Sequence, residues 1–367
     1  MFSTAFGSSA RGFIGGAVIT ASISYAILHR QTPDKPVTGH VPEKFPFGEP
    51  KDMRRTLHYS GHTVYYDFAK KQPLWVSQVL TKESLKGKAN RRQSKFRRDG
   101  QIPEAFSADN ADYVSSGWSR GHMAAAADFK HSQEAMDDTF FLTNIVPQDG
   151  DNNSGFWNRL EMYCRDLTKK FDVVYIITGP IYHVNMDDDH VNKDDDHVNK
   201  NDDHVNMARN YVKYEVIGNN NVPVPTHLYK VIVAFDEGES KRAMGAFIVP
   251  NRPISKEEIN LAKYQVGRDH LQLLTGFDFL PELAADKTCD LCTAKGDSCL
   301  LKNWKDVEIY FAKRNLQFAA SQQDIDAVTK LLKKKNIKVD NNMRALIKSK
   351  QIEMNENEAP IKGIAQS

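Results

Sequence analysis

The sequence predicts an α+β fold, and three observations carry that prediction. Five short runs rich in β-branched or aromatic residues read as strands: Phe140 to Val146, Val173 to Ile177, Tyr211 to Ile217, His227 to Phe235 and Met244 to Val249, most of them closed by Gly or Pro. Helical periodicity is confined to a few stretches, which points to several strands around few helices. The chain has 367 residues, 40% of them hydrophobic, enough for one large domain with a smaller appendage and too apolar for a disordered chain.

In chain order, residues 1–50 are expected to form a targeting or anchoring segment and a linker. Phe13 to Leu28 is an uncharged, largely apolar run between Arg11 and Arg30, and no acidic residue precedes Asp34. As a helix it spans about 24 Å, short of the roughly 30 Å hydrocarbon core, so crossing a membrane needs Gly12 and His29 at the interfaces. A cleaved secretory signal, a mitochondrial presequence and a retained signal anchor all fit; the lack of an A-x-A-like site argues against cleavage. Gln31 to Pro50 reads as a Pro-rich linker.

The body, residues 51–300, opens with Lys51 to Asn110, a mixture of aromatic and charged residues with a basic cluster at Arg91, Arg92, Lys95, Arg97 and Arg98. A solvated surface is favoured there over a phosphate-contacting patch. Ser154 to Phe171 predicts a helix, because Phe156, Leu160, Tyr163 or Cys164, Leu167 and Phe171 fall on one stripe and lysines close the last turns. Asn153 then stands at its N-terminal end, and Glu161 and Arg165 share a face four residues apart. At 183–206 runs a seven-residue repeat, HVNMDDD, HVNKDDD, HVNKNDD, HVN. One apolar residue per repeat disfavours a coiled coil, so a low-complexity loop expansion is preferred to a metal-chelating tract. The repeat holds eight Asp against two Lys, so the formal charge of +2 hides a remainder of +8, which suits a polyanionic partner.

Cys289, Cys292 and Cys299 form a C-x₂-C-x₆-C cluster with no fourth ligand at zinc spacing, and Cys164 lies elsewhere. Free or incidentally paired thiols in a loop are favoured over a zinc site. The tail, residues 301–367, carries 13 Lys or Arg against eight Asp or Glu. Its clearest element is a helix over Ser321 to Asn336, with Ser321 as cap and Ile325, Val328, Leu331 and Leu332 as an apolar stripe expected to dock on the body. Lys330, Lys333, Lys334 and Lys335 form its basic end, read either as a solvated face or as contacts for the phosphates of a polyanionic partner.

Chemistry concentrates in Ser119, Arg120, Gly121, His122 and Met123, where a candidate base adjoins a cation across a glycine that allows close backbone approach to a ligand. Thr143 to Gln148 (TNIVPQ), Asp151 to Glu161 (DNNSGFWNRLE) and Arg165 follow. Each residue alone is more often an ordinary polar group; the order and spacing together are specific.

At these residues, and at Ser115 to Met123, Asn144 to Asp149, Asp151 to Gly155 and Val224 to Ile232, the chain resembles the DNA/RNA non-specific endonuclease family, and within it the mitochondrial exonuclease G-like branch. The resemblance runs from roughly Pro46 to Pro281, and Ser119 stands where most of the family has the Asp of D-R-G-H. It implies a ββα-metal nuclease fold with a mixed, largely antiparallel sheet and a small helical C-terminal extension. It implies a Mg²⁺-dependent nuclease, with Mn²⁺ able to substitute, that cleaves DNA and in the second place RNA by 5′ exonuclease and endonuclease action, as a mitochondrial homodimer. Carried over to this chain, it makes His122 the general base and Asn153 the direct Mg²⁺ ligand.

Elementary chemistry agrees with those roles. A His with an ordinary pKa of about 6.5 takes a proton from water at neutral pH, and a carboxamide oxygen suits a hard cation. Arg120 and Arg165 are candidates to stabilise the charged phosphate, and Asn144 to orient the site. Glu161 lies eight residues past Asn153, roughly 12 Å along an ideal helix, so it is expected to reach the ion through a water.

Overall fold

The structure, a computed structural model, describes residues 51–182 and 212–358. The Phe13 to Leu28 run and the His/Asp repeat therefore lie outside the described residues. No helix among the described residues is long and apolar enough to cross a membrane.

Strands β1 (Arg55–His58), β2 (His62–Asp67) and β3 (Gln72–Leu80) come first, followed by β4 (Ser119–His122), β5 (Ile145–Gln148) and β6 (Val173–Ile181). Strands β7 (Val216–Ile217), β8 (Val222–Pro223), β9 (His227–Phe235), β10 (Arg242–Pro250), β11 (Gln265–Val266) and β12 (Thr288–Asp290) complete the set. The main sheet runs β1-β2-β3-β6-β9-β10-β11, antiparallel throughout, and β12 joins β10 in parallel. The fold is thus α+β with a largely antiparallel sheet.

Strand periodicity explains the two-sided core. Val174, Ile176, Leu228, Ile232 and Ala234 point to one face, where they meet Phe156, Trp157, Leu160, Tyr163 and Leu167. Ile177, Ile181, Tyr229 and Val231 point to the other, against Leu271 and Phe279. The helices concerned are α2 (Asn158–Leu167) on the first face and α3 (Arg268–Thr275) on the second; α1 (Gln133–Asp138) precedes both.

Several expectations need correction. Strands β1 to β3 lie in the segment read as a mixture of aromatic and charged residues, because their buried positions include His62, Gln72 and Gln78 and their half-buried ones Thr63 and Ser77. Phe140 to Val146 is not one strand: a 3₁₀ turn at Leu142–Asn144 precedes β5. Phe140 and Leu142 are apolar because they plug the core at 4% and 1% exposure, not because they are extended. Of the described part of the Tyr211 to Ile217 run, residues 212–217, only Val216–Ile217 is strand. The helix starts earlier than Ser154, at Gly150, where Asp149 caps it by accepting from Asn152 N at 2.7 Å.

The tail forms α4 (Trp304–Gln317), α5 (Gln322–Lys334) and α6 (Asn341–Glu358). Ser321 caps α5 in a capping box with Asp324. Ile325, Val328 and Leu332 are buried, but against Leu316 and Met343 of the neighbouring tail helices and not on the body; Leu331 is 42% exposed. Two contacts just before α4 and at its start join it to the body: Arg159 donates to Lys302 O at 3.3 Å, and Trp304 Nε1 donates to Glu257 at 2.9 Å. In the C-x₂-C-x₆-C loop, Cys292 and Cys299 are disulfide-bonded, which leaves Cys289 as an exposed free thiol; Cys164 is buried and free.

Candidate active site

Strand β4 delivers His122 to its place. It pairs antiparallel with β5, Arg120 opposite Pro147 and His122 opposite Ile145. Glycine is needed at 121 because a Cβ there would stand 2.3 Å from the Gln148 side chain; the close approach is to this buried glutamine, not to a ligand. Asn144 is fully buried and spends its amide on backbone: Oδ1 accepts from Ala124 N at 2.9 Å, and Nδ2 donates to Ala124 O and Thr139 O at 3.0 and 2.9 Å. It thereby pins the chain immediately after His122.

The His122 ring packs edge-on against Phe140 and tilted against Phe96, with centroids 4.9 and 5.2 Å away. It is 8% exposed, and its Nε2 has no hydrogen-bond partner. Burial, reinforced by Arg91, His62 and Arg120, pushes its pKa down to about 3. The ring is neutral at pH 7 and keeps a free lone pair.

The opposite wall is helical. Asn152 and Asn153 are neighbours with different tasks. Asn152, 1% exposed, donates to Pro250 O and Arg252 O at 2.9 Å and ties the helix start to the end of β10. Asn153 lines a cleft of about 690 Å³, and its amide makes no hydrogen bond among the described residues. From Asn153 to Trp157 the helix makes a π turn before continuing as α2. A π turn absorbs one extra residue, so Asn153 and Glu161, eight apart in sequence, stack as though seven apart, two turns along one face. Glu161 lines the same cleft. Burial pushes its pKa up to about 7, against the pull of Arg165.

Two hard oxygen donors on one helix face, one of them an uncommitted carboxamide and the other a carboxylate that burial disfavours as a bare anion, fit a divalent cation. His122, Asn153, Glu161 and Arg165 all line this cleft. Arg165 does not pair with Glu161 by hydrogen bond; its Nη1 donates to Asp128 Oδ1 at 2.7 Å. Arg120 is turned elsewhere: it donates to Asn110 at 2.7 Å and stacks 4.5 Å over Phe96, outside the residues that line the cleft.

Arg91 stands in the cleft where Arg120 does not. It lines the cleft and acts electrostatically on both His122 and Glu161. The basic cluster around it was the signal, weighed there as solvated surface. The tail also reaches the cleft, through Lys302, Tyr310, Phe311 and Arg314. Lys330, Lys333 and Lys334 are exposed on α5 and are not among the lining residues, so the tail's contribution to the groove comes from the start of the tail and α4 and not from the basic end of α5.

Comparison with known proteins agrees with this arrangement. The sequence profile of the DNA/RNA non-specific endonuclease family matches residues 42–286. The chain is 40% identical over 309 residues to mitochondrial nuclease EXOG of Danio rerio, covering 84% of each chain, and 38% identical to that of Homo sapiens, covering 90% of this chain and 88% of the relative. A crystal structure of EndoG in complex with EndoGI superposes with a TM-score of 0.58 at 34% identity, over 68% of this chain and 95% of that one. With the family's motif residues gathered on the walls of one cleft, the chain belongs to the DNA/RNA non-specific endonuclease family and is a hydrolytic nuclease.

Proposed function

We propose that this chain is a Mg²⁺-dependent nuclease, able to use Mn²⁺, that hydrolyses the phosphodiester bonds of DNA and, as a second substrate, RNA. The observation that carries the reading is the cleft itself: a neutral buried histidine on one wall faces an aligned Asn153/Glu161 pair on the other, with Arg165 and Arg91 beside them. His122 takes the proton of the attacking water as its oxygen bonds to phosphorus and the bond to the 3′ oxygen breaks; that oxygen takes a proton from a second water, leaving a 5′ phosphate and a 3′ hydroxyl. Its aromatic surround keeps the ring neutral, and the phosphate's negative charge raises its basicity once substrate is seated. Asn153 would hold the ion directly and Glu161 would reach it through a water. The bound metal supplies positive charge against the phosphate and the departing oxygen. Arg165 and Arg91 add guanidinium charge where the phosphate grows more negative. Arg120 and Asn144 act one step back, the first through the field it exerts on His122 and the second by pinning the chain next to it.

The reading extends to mode and setting. The tail narrows one side of the cleft with Tyr310 and Phe311, which favours a substrate end over a continuous duplex, so 5′ exonuclease action accompanies endonuclease action. Lys330, Lys333 and Lys334 offer exposed charge to a DNA backbone outside the cleft. The names of the mitochondrial relatives support a mitochondrial setting; within it we read the chain as a homodimer engaged in DNA repair or degradation and attached to the inner membrane through the apolar run Phe13 to Leu28. The test is incubation of the protein with 5′-labelled linear and circular DNA, with and without Mg²⁺. Cleavage that persists after chelation, or that yields 3′ phosphates, overturns the reading. A chain ending near Leu300 should still cut but lose its preference for ends; identical product ladders from the two proteins would show that the tail does not set the mode.

A further inference from the structure

Asp128 lies at the end of a 3₁₀ turn, Ala126–Asp128, six residues after His122, and its side chain is 2% exposed. A carboxylate so far from water persists only when both oxygens are satisfied. Oδ1 accepts from Arg165 Nη1 at 2.7 Å, and Oδ2 accepts from Gln78 Nε2 at 2.7 Å. Gln78 is itself buried on β3, at 5% exposure. The carboxylate is thus gripped from the sheet on one side and grips the guanidinium on the other.

We propose that Asp128 is a positioning residue for the reaction: it holds the Arg165 guanidinium at the phosphate's place in the cleft and keeps it off Glu161. The inference rests on the proposed part played by Arg165 in charge stabilisation. Two physical points carry it. Arginine has a long, flexible stem, and a guanidinium fixed before substrate arrives loses no orientational freedom in the transition state. With Nη1 committed to Asp128, Nε and Nη2 remain as the donors that a phosphate meets. Arg165 also stands four residues after Glu161 on the same helix, the spacing at which opposite charges pair. Without Asp128 the guanidinium has Glu161 as its nearest anion, and pairing with it would withdraw that carboxylate from the cation-binding face.

The test is a double-mutant cycle on the full chain with Asp128→Asn, Arg165→Ala and the double variant, read as kcat and KM together with calorimetric Mg²⁺ titration. Asparagine preserves the shape and one acceptor, so the loss reports the charge and the grip. Asp128→Asn should lower kcat roughly 10- to 100-fold, the scale of a misplaced catalytic group, with little change in KM and weaker Mg²⁺ binding. The double variant should be no slower than Arg165→Ala. Losses that multiply, or an Asp128→Asn rate equal to wild type while Arg165→Ala is slow, overturn the proposal and leave the function standing. An Arg165→Ala protein as fast as wild type overturns both. Should Asp128→Asn fail to fold, Gln78→Met releases the rear grip alone; it should lower kcat in the same direction, and an unchanged kcat overturns the proposal.

Discussion

The two walls of the cleft respond to burial in opposite ways. On the strand wall, aromatic packing drives His122 down to about pH 3 and leaves it neutral and ready. On the helix wall, the same loss of water drives Glu161 up to about pH 7, so its charge is disfavoured until a cation arrives. Desolvation disfavours whichever form is charged, so it keeps the imidazole neutral and raises the cost of the bare carboxylate. On the proposed mechanism, the first wall needs no partner to hold its neutral form, and the second gains its charge with a cation.

The largest effect that sharpens this contrast is at the strand wall. His122→Ala should lower kcat by about 10² to 10⁴ while DNA binding stays nearly unchanged, as measured by single-turnover cleavage and by filter binding. Cutting at the wild-type rate would mean that the water loses its proton elsewhere. At the helix wall, Asn153→Ala should raise the Mg²⁺ concentration for half-maximal rate more than about tenfold, the scale that even an outer partner of a metal commands. A variant that merely slows the reaction at unchanged Mg²⁺ demand would remove Asn153 from the ligand set.

A smaller effect concerns the burial itself. His62 lies 4% exposed behind the site, stacked on Tyr59 with centroids 4.7 Å apart, and neither ring nitrogen has a partner. Burial lowers its pKa to about 4. The unfolded chain therefore takes up this proton near pH 6.5 and the folded chain only near 4, so the neutral ring's stability is present above 6.5 and lost as pH falls through 4. His62→Phe should remove up to about 3 kcal/mol of that acid loss, read from urea midpoints at pH 7 and pH 4.5. Parallel pH dependence in the two proteins would mean the imidazole is solvated. The smallest effect is expected from deleting residues 190–206 in the repeat, which should leave cleavage rate and melting temperature almost unchanged, because its low-complexity sequence reads as an expansion whose length costs little. A large loss of rate would assign the His/Asp repeat a role at the site.

Features with a local signal were legible in the sequence. The buried stripe from Phe156 to Leu167 follows helical period, and strand β9 occupies His227 to Phe235 as its β-branched residues imply. His122 and Asn153 are visible through their motifs, and both line one cleft. What could not be read depends on partners distant in sequence. Asp128 is 37 residues from Arg165 and 50 from Gln78, and the tail residues lining the cleft lie farther still from His122. Phe140 and Leu142 misled because burial and extension both favour apolar side chains. Arg120 shares a strand face with His122, two residues away, but its guanidinium is held over Phe96 and by Asn110, contacts that the motif does not reveal.

The π turn has a last consequence, for length. Seven residues of plain α-helix, or eight with one residue absorbed by the turn, present Asn153 and Glu161 on the same face. The turn thus has the form of a one-residue insertion that the helix has swallowed. Ser154, exposed within it, is a residue whose excision would restore ordinary α-helix and leave the two oxygens in line. Spacing counted along the chain and spacing in three dimensions are decoupled here, so a chain one residue shorter between these two positions carries the same site.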